Sequence, residues 1–495
     1  RLVNANFIGV EISEVGNFQI RIVHSPQSFQ LWLFTSFISF IVLLLIGGIY
    51  AWRMLSARTA QGDASGLSIT ARNSVAPILL NLFNRGIDFA FAFVMLRILG
   101  PEQAGAYFYA GVVFVWFDIF TNFGLNLFLT REVARDHSKA RAYFFNTSAM
   151  RIGLAGIGVP MLALFLGIRQ NTITPPLDPT NLLAIGLLYV GLLPNSLSNG
   201  LSSLYYAFER AEMPALVATV ATLSKTIGGL IALLLGWGIV GLAAVSIFTN
   251  FITLAFLWWN ARPMFAGTAP ARPDFRLMKR MAGTSWPLML NHFLATIFFQ
   301  IDVILIEAMH GTLMVGQYQI AYKWVTALNI IPAFFTQAML PRMSRQAQDD
   351  KAGLKRNYIL AIKLLVSVAL PTAVIFTFFA VPLTALLGGS QYLPDGAIAT
   401  QIMIWSIPIG WMNSFGQYML VALDLQRKIM RAFVVAVGFN LISNLLLIPQ
   451  YGYQAAAFTT ILSEAVLFVP FYLLLRPVLG TMPWFSMCWR PVIAT

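Results

Sequence analysis

Long apolar runs separated by short polar turns follow one another along most of the chain. From residue 70 onward these runs predict twelve membrane spans, because a helix needs about 20 predominantly apolar residues to cross a bilayer. The spans form two groups of six, in residues 70–260 and 284–478, on either side of a basic linker at 261–283. The predicted spans are 74–99, 106–129, 147–168, 181–206, 214–236 and 239–259, and then 284–307, 316–340, 358–386, 397–422, 430–449 and 453–475. The pattern indicates an all-α polytopic membrane protein.

The two ends of the chain follow other patterns. Residues 1–30 include the stretch GNFQIRIVH, whose apolar and polar side chains alternate as in a β-strand, so we expect a β-like extracytoplasmic remnant there. Residues 31–53 predict one extra transmembrane helix, and residues 479–495 predict the start of a further helix. Since the sequence begins with Arg1 rather than methionine and stops as that last helix begins, we expect truncation at both ends.

Lysine and arginine are concentrated in alternate loops. Basic side chains precede the first core span and recur after the second, fourth, sixth, eighth and tenth spans, whereas turns such as GPEQAGA, GWG and HGTLMVG contain none. Cytoplasmic loops of membrane proteins are enriched in these two residues. The basic loops are therefore predicted to be cytoplasmic, and residues 1–30 to lie outside.

The two groups of spans resemble each other in sequence. Gly105-x-Tyr107 follows the first core span, and Gly316-x-Tyr318 follows the seventh at an offset of 211 residues. Later, GIVGLAAVSIFTN from Gly238 matches GYQAAAFTTILSE from Gly452 at an offset of 214. Six spans per repeat give both halves the same direction through the membrane, so a pseudo-two-fold axis along the membrane normal is predicted. Two such bundles facing each other across a central cavity are typical of a carrier.

Composition excludes several classes of protein. Apolar residues make up 58% of the chain and charged residues 10%, far below the roughly 25% charged residues of soluble domains. The net charge of +13 lies in loops, where it sets topology and contacts lipid headgroups, so no nucleic-acid partner is expected. The single cysteine, Cys488, excludes an internal disulfide or a thiolate metal cluster, and no GxxxxGK[ST] phosphate loop is present. We expect neither a cofactor nor a metal.

The first core span carries one polar stripe. Asn81, Asn84, Arg85 and Asp88 are spaced i, i+3, i+4 and i+7, which places them on one face of a helix. A charge near the middle of a span costs at least about 2.5 kcal/mol, so it is expected to face a water-filled cavity or a partner. The alternative is structural: Asp88 neutralises Arg85, and the asparagines join helices by hydrogen bonds.

Four stretches resemble a known family. The first, R-x-L-G-P-E-x-x-G-x-Y, comprises Arg97, Leu99, Gly100, Pro101, Glu102, Gly105 and Tyr107. The others are NFGLNLFLTREVAR at 122–135, PLMLNHFLATIFFQIDVILIEAM at 287–309, and VGQYQIAYK at 315–323 followed by LPRMSR at 340–345. Together they resemble the polysaccharide-biosynthesis flippases, the O-antigen and teichoic-acid exporter branch of the multidrug/oligosaccharidyl-lipid/polysaccharide (MOP) superfamily.

This resemblance implies a MATE-like fold and a function. The expected function is movement of an undecaprenyl-diphosphate-linked oligosaccharide across the cytoplasmic membrane of a bacterium or archaeon by alternating access. A polysaccharide polymerase and glycosyltransferases are the implied protein partners. Two other carriers of the superfamily remain open, a multidrug or cation antiporter and a peptidoglycan-precursor flippase. A membrane-embedded glycosyltransferase or polymerase is disfavoured because the longest external loop of the core, IRQNTITPPLDP, is short, so the protein is predicted not to be an enzyme.

A diphosphate cargo calls for cationic and amide groups near the middle of the membrane. The substrate-binding candidates are Arg85, Asn81, Asn84, Lys225, Lys323 and Asn291, with His292, Asn413, Gln417, Asn440 and Asn444 as further amide or imidazole groups. The ion-coupling candidates are Asp88, Asp118, Asp302 and Glu464. Each has a structural alternative: Lys323 can extend to the interface, asparagines can join helices, and acids can form salt bridges. Arg151 and Lys363, near the ends of their spans, are interpreted as interface anchors.

Overall fold

A computed structural model describes residues 66–265 and 272–482 of the chain. The segments predicted at 1–30 and 31–53 lie outside the described residues, as do 483–495 at the other end. Within the described ranges every regular element is a helix. The all-α prediction is therefore confirmed for this part of the chain.

Fourteen α-helices form the described structure, together with three short 3₁₀ turns at His137–Lys139, Arg262–Phe265 and Ser390–Tyr392. The α-helices are α1 (Gly66–Asn122), α2 (Leu125–Arg135), α3 (Ala140–Thr172), α4 (Pro179–Ala207), α5 (Glu212–Leu234), α6 (Gly238–Ala261), α7 (Phe275–His310), α8 (Thr312–Leu328), α9 (Ile330–Asp349), α10 (Lys351–Phe378), α11 (Ala380–Gly388), α12 (Asp395–Met403), α13 (Ser406–Ala422) and α14 (Gln426–Leu479).

These helices cross the bundle from one end to the other twelve times, and each crossing is called a pass. Eight helical segments of the described residues are long and apolar enough to cross a membrane. Two of them contain two passes each, because α1 bends at Gly100 and α14 bends at Gly452. The remaining two passes are broken helices, α8 with α9 and α12 with α13. The prediction of about twelve core helices is confirmed.

Glycine turns of the same shape end the first pass of each half. Gly100 has φ 70° and ψ 175°, and Gly311 has φ 82° and ψ 179°. Glycine occupies positive φ without the steric cost that a Cβ atom would bring. The two glycines are 211 residues apart, the offset of the repeat seen in the sequence, so the duplication extends to backbone conformation.

The repeated glycines of the GxY motifs meet across the pseudo-two-fold axis. A Cβ atom on Gly105 would overlap the carbonyl oxygen of Thr312, and one on Gly316 would overlap the carbonyl oxygen of Pro101. Since 312 − 101 and 316 − 105 both equal 211, the contact is reciprocal, as in an isologous interface. Backbone contact between α1 and α8 therefore requires glycine at both positions.

The helices pack into two lobes. In the first lobe, α1–α6, helix α4 packs against α6 and α1, and α5 packs against α1 and α6. In the second lobe, α7–α14, helices α7 and α13 pack against α14, and α8 packs against α12. Large apolar side chains such as Leu164, Phe248 and Leu446 are exposed on the outside, as expected for surfaces that contact lipid.

The two ends of the bundle differ in charge. Arg131, Arg210, Arg276 and Arg342 all lie near the end of the bundle where α4 finishes and α5, α7 and α10 begin, which we call the basic end. The opposite end carries the turn at Gly100 and is called the Gly100 end. The basic segments that alternate along the sequence thus lie at one end of the folded protein.

Candidate functional site

Three basic side chains surround one carboxylate where the two lobes face each other. The positive charges of Lys323, Lys225 and Arg85 all act on Asp88. Arg85 and Asp88 lie on the first pass of α1, Lys225 on α5, and Lys323 on α8 of the second lobe. Among the described residues none of the three forms a salt bridge with Asp88. This group, called the cationic cluster, therefore combines charges from both lobes without neutralising them in direct pairs.

Three members of the cationic cluster, Asp88, Lys225 and Lys323, lie at similar depth, and Arg85 lies three residues farther from Gly100 than Asp88. Asp88 precedes Gly100 by 12 residues, Lys323 follows Gly311 by 12, and Lys225 precedes Gly236 by 11. At 1.5 Å per residue these separations place them about 16–18 Å from the Gly100 end, close to the middle of a hydrocarbon core of about 30 Å.

Solvent reaches this cluster. Arg85, Asp88 and Lys225 are exposed, although protein atoms also desolvate Asp88 and Lys225. Lys323 is half-buried, and its ammonium nitrogen lies 4.7 Å from the centre of the Phe108 ring on the second pass of α1. Exposed charges at mid-membrane depth that are also enclosed by protein are the expected features of a water-filled cavity.

The polar stripe of the first span does not stay together. Asn81 is exposed beside Arg85, whereas Asn84 is 8% exposed and turned into the first lobe. No hydrogen-bond partner is found for the Asn84 Oδ1 atom among the described residues. The stripe therefore supplies Asn81, Arg85 and Asp88 to the cavity, and Asn84 to the interior of the lobe.

The second lobe contains a pocket of about 180 Å³ around Glu464, with both polar and apolar side chains in its lining. Asn413 donates hydrogen bonds of 2.7 Å to both the carboxylate and the backbone carbonyl of Glu464. Gln417 and Tyr322 also line the pocket. The structure thus brings together Asn413, Gln417 and Glu464, which the sequence supplied from three separate positions.

Asp302 lies deeper in the same lobe. Its carboxylate accepts hydrogen bonds from the Tyr318 hydroxyl and, at 2.9 Å, from the backbone N–H of Val303. The Tyr318 hydroxyl is also 3.4 Å from the hydroxyl of Thr460, which lines the Glu464 pocket. The Tyr318 hydroxyl therefore lies between Asp302 and the wall of the pocket.

The first lobe holds an amide where the second lobe holds Glu464. A Cβ atom on Gly410 would lie 3.3 Å from the Glu464 carboxylate, and one on Gly191 would lie 3.4 Å from the Asn250 amide nitrogen. Position 250 plus the repeat offset of 214 gives position 464. The lobes share the packing of this site but differ in charge, so only the second lobe presents an acid there.

Other polar candidates lie outside both groups. Asn440 donates to the Ser463 hydroxyl at 3.0 Å and so joins the two passes of α14, and Asn444 donates to the Asn440 side chain at 3.1 Å within the first of them. Asn291 is half-buried and His292 is exposed on α7, and no described contact connects either residue to the cationic cluster.

One residue that sequence reasoning set aside is fully buried. The interpretation of Arg151 as an interface anchor is wrong, because its side chain is 0% exposed inside the first lobe. It donates to the Asn126 side chain at 2.6 Å and faces Asp118, which accepts a 2.9 Å hydrogen bond from Asn195. The signal in the sequence was an arginine inside a predicted span opposite an acid in the preceding span.

Sequence reasoning also missed an ion pair that joins the lobes. Arg169 of α3 donates to both carboxylate oxygens of Glu307 on α7, at 3.0 and 2.8 Å, and the two side chains are 5% and 1% exposed. Nearby, Arg97 donates to the carbonyl of Leu386 at 2.6 Å, and Gln391 donates to the carbonyl of Arg97 at 3.0 Å. These contacts hold the lobes together at the Gly100 end.

Comparison with known families gives two matches. A family model described as polysaccharide biosynthesis protein matches residues 70–347, more than half of the chain. A second model, described as MatE, matches residues 287–446 in the second lobe.

Two archaeal proteins are similar in sequence. The chain is 26% identical to the probable flippase AglR of Haloferax volcanii over 166 residues, which are 33% of this chain and 35% of that protein. It is 24% identical to the uncharacterized membrane protein MJ1068 of Methanocaldococcus jannaschii over 197 residues, which are 39% of this chain and 38% of that protein. The matches span between a third and two fifths of each relative.

Solved structures share the fold at low sequence identity. The lipid II flippase MurJ, in an inward closed conformation, superposes with a TM-score of 0.67 at 13% identity, covering 85% of this chain and 91% of that chain. A multidrug resistance MATE family transporter of the MOP superfamily, in an inward-facing conformation, superposes with a TM-score of 0.62 at 16% identity, covering 80% and 94%. The predicted MATE-like architecture is confirmed.

Proposed function

This chain belongs to the polysaccharide biosynthesis protein family, and from that premise we propose that it is a flippase for a polyprenyl-diphosphate-linked oligosaccharide. The cargo we propose is undecaprenyl-diphosphate-linked and crosses the cytoplasmic membrane by alternating access. The basic end of the bundle faces the cytoplasm, because basic loops remain on that side. A polysaccharide polymerase and glycosyltransferases act on the same glycan before and after transfer.

The observation that supports this cargo is the cationic cluster. A diphosphate cannot enter hydrocarbon without replacement contacts for its charges. Arg85 supplies a planar fork that fits phosphate oxygens, and Lys225 and Lys323 supply point charges. Asp88 keeps these side chains oriented and partly compensates them while the cavity is empty. Because Lys323 comes from the second lobe, a bound diphosphate interacts with both lobes at once.

The remaining parts of the cargo need other contacts. Asn81 lies exposed beside Arg85 and provides a hydrogen-bonding group for sugar hydroxyls. The polyprenyl tail stays in lipid between the lobes. Asn84 and Asn291 retain a supporting role in this proposal, as groups that position the helices around the cavity.

A multidrug or cation antiporter is the second candidate. Such a carrier is expected to place acids around its cargo, whereas here three basic side chains surround a single carboxylate. A peptidoglycan-precursor flippase is the third, and its cargo also carries a polyprenyl diphosphate. The cationic cluster therefore favours both lipid-diphosphate cargoes over a cationic drug.

The cargo class is tested by transport in proteoliposomes. Purified protein is reconstituted and offered three cargoes separately: a fluorescent polyprenyl-diphosphate oligosaccharide, a polyprenyl-diphosphate-linked peptidoglycan precursor, and ethidium. We expect leaflet transfer of the oligosaccharide lipid and no ethidium transport. Ethidium transport without lipid transfer contradicts the proposal in favour of the antiporter, and transfer of the peptidoglycan precursor alone contradicts the proposed glycan.

Transport is coupled to an ion through the embedded acids in this proposal. Glu464 is 7% exposed, lies in a pocket with a partly polar lining and accepts hydrogen bonds from an amide, which are suitable surroundings for a proton or Na⁺. Asp302, Asp118 and Asp88 are the other candidates. Transfer is measured with and without an imposed proton or Na⁺ gradient in Glu464→Gln, Asp302→Asn, Asp118→Asn and Asp88→Asn. We expect Glu464→Gln to lose the gradient dependence. A gradient response that survives in all four variants contradicts coupling through these acids.

A further inference from the structure

A groove on the outer surface of the first lobe lies apart from the cavity between the lobes. Helices α3 and α6 both pack against α4 and leave a space of about 770 Å³ between them, above Leu197. We call it the α3–α6 groove. The side chains that line it are Arg141, Phe144, Phe145, Ser148, Ile152, Leu197, Phe251, Leu254, Ala255, Trp258, Arg262 and Phe265.

The length of the groove matches one leaflet of a bilayer. It extends from Arg141 to Ile152 along α3 and from Arg262 to Phe251 along α6, eleven residues in each case. At 1.5 Å per residue this is about 16 Å, roughly half of a hydrocarbon core of about 30 Å. The groove begins at the basic end of the bundle and finishes near the middle of the membrane.

Charge is confined to one end of the groove. Arg141 and Arg262 are exposed there, and among the described residues neither forms a salt bridge. The Arg262 guanidinium lies 4.2 Å above the Trp259 ring, which fixes its position at the groove mouth. Farther along, the lining is apolar and open, since Ile152 and Phe251 are 52% and 51% exposed.

Aromatic rings form the floor beneath the two arginines. Phe144, Trp258 and Phe265 contact one another with ring centres 5.7–6.0 Å apart. Aromatic side chains of this kind are enriched at the depth of lipid headgroups. The groove therefore presents cations, then aromatic rings, then aliphatic and aromatic side chains, in the order of a headgroup, an interface and an acyl chain.

We propose that the α3–α6 groove is a binding site for an anionic phospholipid of the leaflet at the basic end. The headgroup phosphate lies between Arg141 and Arg262, each of which offers a planar set of N–H donors to phosphate oxygens. One acyl chain fills the apolar part of the groove along α4. A zwitterionic phospholipid presents the same phosphate with an attached cation, so it binds more weakly between two arginines. The site is independent of the cargo proposed above.

The inference is tested by native mass spectrometry of the purified protein. The protein is incubated with dioleoyl phosphatidylglycerol or dioleoyl phosphatidylcholine, and retained lipid is counted as collision energy rises. Arg141→Gln/Arg262→Gln is compared with Arg342→Gln/Arg345→Gln, which removes two exposed arginines at the basic end of the second lobe. Because each arginine near an anionic lipid contributes roughly a fivefold preference, we expect about 25-fold weaker phosphatidylglycerol retention in the first pair and little change in the control pair.

A third variant tests the apolar part of the site. Ala255 is exposed within the groove, so Ala255→Phe fills the acyl-chain space and leaves both arginines in place. We expect it to weaken phosphatidylglycerol retention with the fold intact. Equal losses in the two arginine pairs, or equal retention of both lipids by the unmodified protein, overturn the proposal in favour of general surface attraction. Displacement of the phospholipid by an equimolar polyprenyl diphosphate overturns it in favour of a cargo-docking site.

Discussion

The ion pair between Arg169 and Glu307 is predicted to hold the lobes together at the Gly100 end. Arg169 belongs to the first lobe and Glu307 to the second, and both side chains are almost completely buried. The contact is bidentate, and the third guanidinium nitrogen, Nη1, donates to the carbonyls of Ile173 and Pro175 at 3.1 Å. The pair exists only while this end is closed, because separation of the lobes moves α3 away from α7.

The size of the expected shift from closed to open molecules follows from the burial of the pair. Glu307→Gln removes one charge and leaves the Arg169 guanidinium buried without its counterion, which costs about 3–5 kcal/mol. The closed arrangement bears this cost, whereas a separated arrangement allows water to solvate Arg169. The ratio of closed to open molecules is therefore expected to fall by about two to three and a half orders of magnitude. The double variant Arg169→Met/Glu307→Gln contains no buried charge and is expected to recover most of the closed population.

The assay is a distance measurement between spin labels on the two lobes. Cys488 is the only cysteine, so Cys488→Ser gives a background into which exposed Asn171 and Leu313 are changed to cysteine. Pulsed electron–electron double resonance then measures the distance between the two spin labels at the Gly100 end. We expect a longer distance population in Glu307→Gln and a return of the short distance in the double variant. An unchanged distance distribution in a correctly folded Glu307→Gln protein refutes this reasoning.

Three further predictions concern the described residues. Gly105→Ala introduces a methyl group that overlaps a carbonyl oxygen of the other lobe, so we expect lengthened inter-lobe distances in the same assay, whereas Gly86→Ala, with open space around it, leaves them unchanged. Arg151→Met removes the positive charge that faces Asp118 and the hydrogen bond to Asn126, so thermal unfolding is expected to show a loss of about 1–3 kcal/mol. We expect Arg151→Met/Asp118→Asn to recover part of this loss, and an additive double variant argues against coupling between the two residues. Glu464→Gln keeps the hydrogen-bonding shape of its pocket, so we expect a normal unfolding temperature together with lost gradient dependence; normal coupling argues that the proton or Na⁺ binds elsewhere.

Periodicity predicted the number of spans, because a helix that crosses lipid needs a minimum apolar length, and loop charge predicted which connections share one end of the bundle. The GxY repeat indicated the duplication, and it also marked two positions that contact the opposite lobe. Gly105 and Gly316 were recognisable as equivalent positions, and in the structure they are where the backbones of the two lobes come into close contact. Glycine at both equivalent positions is informative, because a Cβ atom on any other residue would prevent two backbones from approaching so closely.

The partners of individual polar residues could not be predicted in the same way. A stripe at helical spacing placed Asn81, Asn84, Arg85 and Asp88 on one face, but a face about 100° wide can extend from a cavity into the neighbouring helix. Asn84 lies on the side that α1 turns into its own lobe. Arg169 and Glu307 are 138 residues apart in sequence, and only the approach of α3 and α7 brings them together.

The most direct test of the central claim is leaflet transfer of a fluorescent polyprenyl-diphosphate oligosaccharide by variants of the cationic cluster. Lys225→Gln and Lys323→Gln each remove one charge from one lobe, and Lys363→Gln removes a half-buried lysine of α10 as the control. We expect transfer to fall at least tenfold in the first two variants, since a lost charge–phosphate contact contributes about 1.5–3 kcal/mol, and the control to transport normally. Full transport by both cluster variants contradicts a cationic diphosphate site and makes these lysines structural.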